Sequence, residues 1–273
     1  MIHDLHMHTT SSDGSLSPDR LIAYSREHGV DVMSITDHDS TAAYRAIRTE
    51  LPAGLTLVPG IELSTTWMDR GIHILGLNID IDSEEMTAGV AFQATARERR
   101  AVRIAARLER SGIDNPLAAV RTLAGDAAIG RPHFAQHLVE IGAVRNVRTA
   151  FRKYLGAGRP GDVRQEWASM PEVIGWIRAS GGLAVLAHPA KYGMTNTKLR
   201  ALLDDFVAAG GAGIEVVSGR QDPATTRRIA ELAADFGLAA SIGSDFHTPD
   251  QPWSRPGGFS PLPDGLEPVW ERW

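Results

Sequence analysis

The stretch Leu238-Ala239-Ala240-Ser241-Ile242-Gly243-Ser244-Asp245-Phe246-His247 decides the reading of the fold. A short, mostly apolar run is broken by glycine and serine, and two potential metal ligands follow two residues apart. A buried strand ending in a functional loop has this form. Working outward, six further runs share it: the one ending at His6, then 30–36, 55–59, 72–77, 183–187 and 213–217. Helical periodicity fills 18–28, 171–179, 198–208 and 223–236. Glycine follows these segments at Gly29, Gly181, Gly210 and Gly237, as helix C-termini favour, and proline opens several of them. Strands alternating with helices predict an α/β fold around a parallel sheet, closed into a barrel.

The 273 residues suit one such barrel with an insertion. Between the fourth and fifth strands lie about a hundred residues of helical character, too many for a simple crossover. The expected organisation is therefore a barrel of residues 1–84 and 166–273 with a helical insertion, a lid, at 85–165. Inside the insertion, Arg97-Glu98-Arg99-Arg100 with Arg103, Arg107 and Arg110 forms a charged helix. It reads either as a solvated face or as a lid surface meeting a polyanion. Residues 249–268 are rich in proline and glycine and predict an irregular segment wrapped over the domain.

Composition narrows the function. With 43% hydrophobic and 22% charged residues the chain reads as globular. A formal charge of −5 argues against a surface devoted to sequence-independent DNA binding, so no stable DNA complex is expected. The absence of cysteine excludes disulfides, thiolate zinc sites and thiol nucleophiles, leaving nitrogen and oxygen to bind any metal. The N-terminal residues lack the basic start and apolar run of a signal peptide, and no apolar stretch reaches a membrane span. The expected location is the cytoplasm, without membrane attachment.

The histidines carry the chemistry. Of ten, His6, His8, His38, His73, His133, His188 and His247 fall at strand ends, in adjoining loops or at a helix start, where barrel active sites form. His6 and His8 lie two apart on extended backbone, so both imidazoles can reach one ion. Asp13 follows in a small-residue turn, where an ordinary turn aspartate is the competing reading. The second strand ends in Thr36-Asp37-His38-Asp39 and the third leads to Pro59-Gly60-Ile61-Glu62. A carboxylate such as Glu62 can bridge two cations, or merely cap or face solvent. His73 sits in an apolar run, where a satisfied core histidine is the default. In a closed barrel the last strand meets the first, bringing His6, His8, Asp245 and His247 together.

These residues resemble the polymerase and histidinol phosphatase (PHP) family. The matching motifs are His6-Met7-His8 with Asp13, Thr36-Asp37-His38, Gly60-Ile61-Glu62, Ile72-His73-Ile74, Gly130-Arg131-Pro132-His133 and Ser244-Asp245-Phe246-His247. The resemblance covers nearly the whole chain and implies a distorted (β/α)7 barrel with nine metal ligands. It places His6, His8, Glu62 and Asp245 around one ion, Glu62, His73 and His133 around a second, and Asp13, His38 and His247 around a third. Two or three divalent ions are thus implied. Manganese is expected first, with zinc and iron equally suited to such ligands. Ser12-Asp13-Gly14-Ser15-Leu16-Ser17-Pro18 and Ala187-His188-Pro189 further resemble a bacterial group that removes phosphate from nucleoside 3′,5′-bisphosphates and degrades short 5′-phosphorylated RNA from the 5′ end. The implied partner is thus a nucleotide or short RNA; oligomeric state is left open.

For substrate, Arg131 offers paired donors to a phosphate, or a structural salt bridge. His133 lies beside it. Lys191 and Tyr192 follow the fifth strand and reach a second phosphate or the base, or are simply solvated and packed. His188 is expected to donate a proton to the leaving oxygen or to orient a ligand, and Asp37 to orient one from beside His38. Hydrolysis of histidinol phosphate, a metal-dependent amidohydrolase and a non-catalytic binding module are the competing functions. The carboxylated lysine frequent in amidohydrolases has no candidate among the early strand ends.

Overall fold

The seven expected strands form one sheet in sequence order in the computed structural model, which describes residues 1–163 and 166–273. They are β1 (His3–Asp4), β2 (Val32–Ile35), β3 (Thr56–Trp67), β4 (Arg70–Leu77), β5 (Leu183–Leu186), β6 (Gly213–Ser218) and β7 (Ala239–Gly243). Helices α1 (Pro18–Glu27) and α2 (Ala42–Ile47) lie between the first three strands. Helices α3 (Glu84–Glu109), α4 (Pro116–Ala124), α5 (Arg131–Glu140) and α6 (Val147–Ala150) follow β4, then α7 (Met170–Ala179), α8 (Asn196–Ala208) and α9 (Pro223–Asp235) separate the remainder. Local capping explains several starts. Ser169 and Glu172 form a capping box on α7, and the Asp222 carboxylate accepts from two backbone amides at the start of α9.

The sheet is not wholly parallel, which corrects the sequence reading. β4 runs antiparallel to both β3 and β5, while the other neighbours are parallel. No helix signal separates β3 from β4, and a parallel pair would need a crossover there. Instead β3 runs on to Trp67 and turns through Met68 and Asp69, both left-handed (φ 44° and 61°), as a two-residue hairpin requires. The reversal has a functional consequence. His73, near the start of β4, comes to the same barrel end as the C-terminal ends of the parallel strands.

The barrel nearly closes where β7 meets β1. Leu5 N donates to Ile242 O (3.0 Å), Asp245 N to His6 O (2.8 Å) and His8 N to Phe246 O (2.9 Å). Leu5, just past β1, and Val32, Val58, Leu75, Val185 and Ala239 from five strands form an apolar cluster of their own. A larger core lies between the sheet and α7 to α9, including Ile74, Ile177, Leu203, Phe206 and Ile229. Residues of α3 to α6 have an apolar cluster of their own around Ile104, Leu108, Val120, Phe134 and Leu138. The start of α3 nevertheless packs on the barrel through Met86. The boundary placed at 165 lies outside the described residues. No helix among the described residues is long and apolar enough to cross a membrane.

Residues 249–268 are irregular apart from one short turn and return to the barrel, where Ala240 N donates to Glu267 O (2.8 Å). Asp4 pins this segment. Its buried carboxylate accepts from Ser244 N (2.8 Å) and Gly257 N (3.0 Å). Burial outweighs these bonds and pushes the Asp4 carboxyl from its ordinary 3.8 up to about 6. The folded state therefore holds this proton more tightly than the unfolded chain. The corresponding stability is full below about pH 4 and is lost as pH rises through 6. Chemical denaturation at pH 4.5 and pH 7 checks this: the stability of wild type relative to Asp4→Asn should be greater at pH 4.5.

Candidate metal centre

Glu62 occupies the middle of the strand-end cluster, fully buried. Its two oxygens face different partners. Oε1 lies 2.9 Å from His73 Nδ1 and 2.9 Å from His188 Nε2. Oε2 lies 3.3 Å from His6 Nε2, 3.2 Å from His8 Nε2 and 3.0 Å from His38 Nδ1. Asp245 Oδ1 completes the second of these groups, 3.4 Å from both His6 Nε2 and His8 Nε2. Asp13, delivered by the loop after β1, stands 3.4 Å from His247 Nε2, 3.7 Å from His38 Nε2 and 3.7 Å from His8 Nδ1.

Strand ends and tight loops make this convergence possible. Asp39, His188 and Asp245 each adopt left-handed backbone just past β2, β5 and β7 (φ 52°, 30° and 52°), a conformation that costs energy in non-glycine residues and clusters at functional sites. Gly243 lets β7 approach β1: a Cβ there would stand 2.4 Å from His6 Cβ and 2.9 Å from Glu215 Oε1. At Gly14, an added Cβ would meet His8 O at 2.3 Å.

The carboxylates and imidazoles shift one another. Burial alone would raise Glu62, but His38, His73 and His6 overcome it and hold the carboxyl well below the ordinary range. Asp13 and Asp245 are likewise held low against burial, by His38 and His247 and by His6 and His8. Burial disfavours a proton on His8, yet Asp245 and Glu62 raise it to about 10. His38 goes the other way, pushed by burial down to about 3 despite Glu62 and Asp13. Two of the closest atoms, Glu62 Oε2 and His38 Nδ1, make no hydrogen bond although both are buried. Such an acceptor-rich, oxygen and nitrogen donor set is what a divalent cation needs. Among the described residues, four overlapping groups have the spacing to hold one: His8, Asp13, His38 and His247; His6, Glu62 and His188; His6, His8 and Asp245; and His38, Glu62 and His73.

No family model matches the chain. Among curated proteins, a 5′-3′ exoribonuclease from Haemophilus influenzae is 42% identical over 271 residues, covering 99% of this chain and 98% of that protein. A 3′,5′-nucleoside bisphosphate phosphatase from Chromobacterium violaceum is 40% identical, covering 98% and 95%. Among solved structures, a Chromobacterium violaceum protein described as an amidohydrolase with bound sulfate superposes with TM-score 0.90 at 38% identity, over 100% of this chain and 95% of that one. A protein from Bifidobacterium adolescentis described as a metal-dependent phosphoesterase superposes with TM-score 0.79 at 28% identity, over 97% and 92%. The chain belongs to the PHP family of metal-dependent phosphoesterases.

In this PHP protein His188, not His133, stands beside Glu62 and His73; His188 Nε2 is also 3.3 Å from His73 Nδ1. His133 is kept away by its place at the start of α5. Its Nδ1 accepts from Gly130 N (3.0 Å), so the neutral ring carries its proton on Nε2 and offers a donor instead of a lone pair. Burial lowers the His133 pKa and favours that neutral form. His133 lines the cavity beside Asp13. His188, expected as a proton donor, is enclosed between Glu62 and His73.

Asp37 does not orient His38. Its carboxylate accepts from Thr9 N (2.7 Å), Thr9 Oγ1 (2.6 Å) and Ser12 Oγ (2.6 Å), fixing the loop that carries Asp13. Burial raises its pKa against those bonds. Tyr192 is turned from the cavity, its hydroxyl accepting from His73 N (3.0 Å). Lys191 is half-exposed, lines the cavity and contacts Asp245 Oδ2. Arg131 packs over the Phe151 ring, 5.7 Å from its centroid, with a long bond to Leu155 O (3.5 Å), and steadies the insertion.

Two residues with a part in the site were missed. Asp39 accepts from Arg97 Nε (2.7 Å), Gln93 Nε2 (2.9 Å) and Ser64 N (2.7 Å), so a buried ion pair ties α3 to the loop carrying His38. Arg97 and hydrogen bonding hold Asp39 low despite burial. Glu215, on β6, lies 3.0 Å from His6 Nδ1 and accepts from His188 N (2.6 Å). A carboxylate on the far nitrogen fixes the tautomer so that Nε2 faces the cluster. Its only sequence signal is a carboxylate inside an apolar run. Glu215→Gln should weaken manganese binding about 10- to 100-fold, measured by titration calorimetry on metal-stripped protein.

Proposed function

We propose that this PHP enzyme removes phosphate from nucleoside 3′,5′-bisphosphates and shortens 5′-phosphorylated oligoribonucleotides from the 5′ end. The observation that carries the reading is the placement of Glu62, with one oxygen toward His73 and His188 and the other toward His6 and His8. The relatives named above, an exoribonuclease and a nucleoside bisphosphate phosphatase, support the substrate class. The proposed ligands are His6, His8, Glu62 and Asp245 for one ion, Glu62, His73 and His188 for a second, and Asp13, His38 and His247 for a third, with manganese the first choice. Divalent ions there supply Lewis acidity toward phosphoryl oxygens and lower the pKa of water near them.

The chain's own groups do the rest. Glu215 and Tyr192 hold His6 and β4 in place, Asp37 and Asp39 hold the loops carrying Asp13 and His38, and the His133 Nε2–H donates to a phosphoryl oxygen. Lys191 adds positive charge at the cavity wall. The insertion acts as a lid whose position is locked by Arg97 and Asp39.

The test is phosphate release from adenosine 3′,5′-bisphosphate and nucleotide release from a 5′-phosphorylated RNA pentamer, with manganese and after chelation. Turnover of both, abolished by chelation and restored by manganese, is expected. Turnover of histidinol phosphate alone would refute the substrate class, and ammonia release from amides without phosphate release would refute the phosphoesterase reading.

A further inference from the structure

The metal cluster opens into a cavity of about 870 Å³. Its inner wall includes the buried or half-buried Asp13, His133, Asp245 and His247, and its wall also includes Arg220 and Trp253. Trp253 is 57% exposed, so it marks the outer rim. An oligoribonucleotide differs from a nucleoside bisphosphate in the nucleotides lying beyond the scissile phosphate, and only contacts outside the metal cluster can read them.

Trp253 suits that task. Its ring makes no aromatic or cation contact with any described residue and belongs to none of the apolar cores. Its backbone is nevertheless fixed. Trp253 O accepts from Arg220 N (2.7 Å), and Ser254 N donates to Gln251 O (3.0 Å). Gly219, with φ +59°, allows the approach: a Cβ there would lie 2.9 Å from Ser244 O and 3.0 Å from Trp253 O. A large aromatic side chain left uncovered on a pinned turn, six residues after His247, is a ready surface for a base.

Arg220 stands next to it. Its side chain is exposed and has no hydrogen bond or ion pair with a described residue, and it lines both this cavity and a smaller one of about 350 Å³ beside His188 and Glu215. Asp250 also lines the outer wall. With Arg220 and Lys191 set against Asp13, Asp245 and Asp250 around the cavity, general attraction of polyanions is weak, and stacking must carry recognition.

We infer that Trp253 stacks on the first base beyond the scissile phosphate, and that Arg220 bonds the next backbone phosphate, making the rim a subsite for the chain that departs. This rests on the function proposed above. The prediction concerns Trp253→Ala, Trp253→Phe and Arg220→Gln. Trp253→Ala should lower the ratio of kcat/KM on the RNA pentamer to kcat/KM on the bisphosphate about tenfold, ~1.4 kcal/mol, through KM. Trp253→Phe should restore most of the ratio, and Arg220→Gln should lower it as well.

Equilibrium binding keeps this apart from the proposed activity. Anisotropy of a labelled 5′-phosphorylated RNA pentamer with chelator-treated protein should show about tenfold weaker binding by Trp253→Ala, whether or not either substrate is turned over. Equal losses on both substrates, an unchanged ratio, or RNA binding that Trp253→Ala does not weaken would overturn the inference.

Discussion

Glu62→Gln should lower kcat/KM for phosphate release by on the order of 10³ or more, about 4 kcal/mol of transition-state stabilisation. The carboxylate touches imidazoles on both sides, through Oε1 and Oε2, and glutamine retains only one acceptor. Its amide would aim donors at His73 and His188 or at His6 and His8, and one of two negative charges shared with Asp245 near His6 and His8 would be lost. Cations at both proposed sites would then repel each other with less screening between them. Metal analysis of the purified variant should show lower occupancy alongside the kinetic loss. Near-normal turnover with full metal content would mean that Glu62 is a packing residue.

The second large effect separates His188 from His133. His188→Ala should reduce bound metal and lower kcat by about 10² or more, because a ligand beside Glu62 and His73 is removed. His133→Ala should leave metal content unchanged and raise KM about 10- to 100-fold, as loss of a donor to a charged oxygen predicts. The reverse pattern would return His133 to the ligand set. Folding is controlled by near-ultraviolet dichroism of both variants.

Why the sequence favoured His133 over His188 is physically clear. The family resemblance put His133 in the ligand set, whereas in the fold it stands at the third position of α5, where Nδ1 accepts from Gly130 N. That local bond is invisible without the helix boundary. His188 already sat at a strand end in the sequence, but its approach to His73 depends on β4 running antiparallel. The direction of β4 in turn depends on a two-residue turn at Met68 and Asp69, where Asp69 suits left-handed backbone but Met68 carries no turn preference. Most other residues of the cluster were legible because turn-bounded apolar runs mark where strands stop, and His6, His8, His38, Asp245 and His247 lie just past such stops, while Glu62 and His73 fall within β3 and β4. Glu215 and Asp39 were not, since their partners, His6 and Arg97, are supplied by distant segments. Trp253 lay in a segment read only as irregular, and its uncovered ring emerges only from the surrounding packing.

In the proposed function Glu62 bridges divalent ions ligated by the clustered histidines. Anomalous diffraction from crystals grown with manganese tests it most directly. Peaks are expected on both sides of the Glu62 carboxylate, one within bonding distance of His6, His8 and Asp245 and another within reach of His73 and His188. A map with no peak bonded to Glu62, or with His133 bound to the ion beside His73 in place of His188, would contradict it.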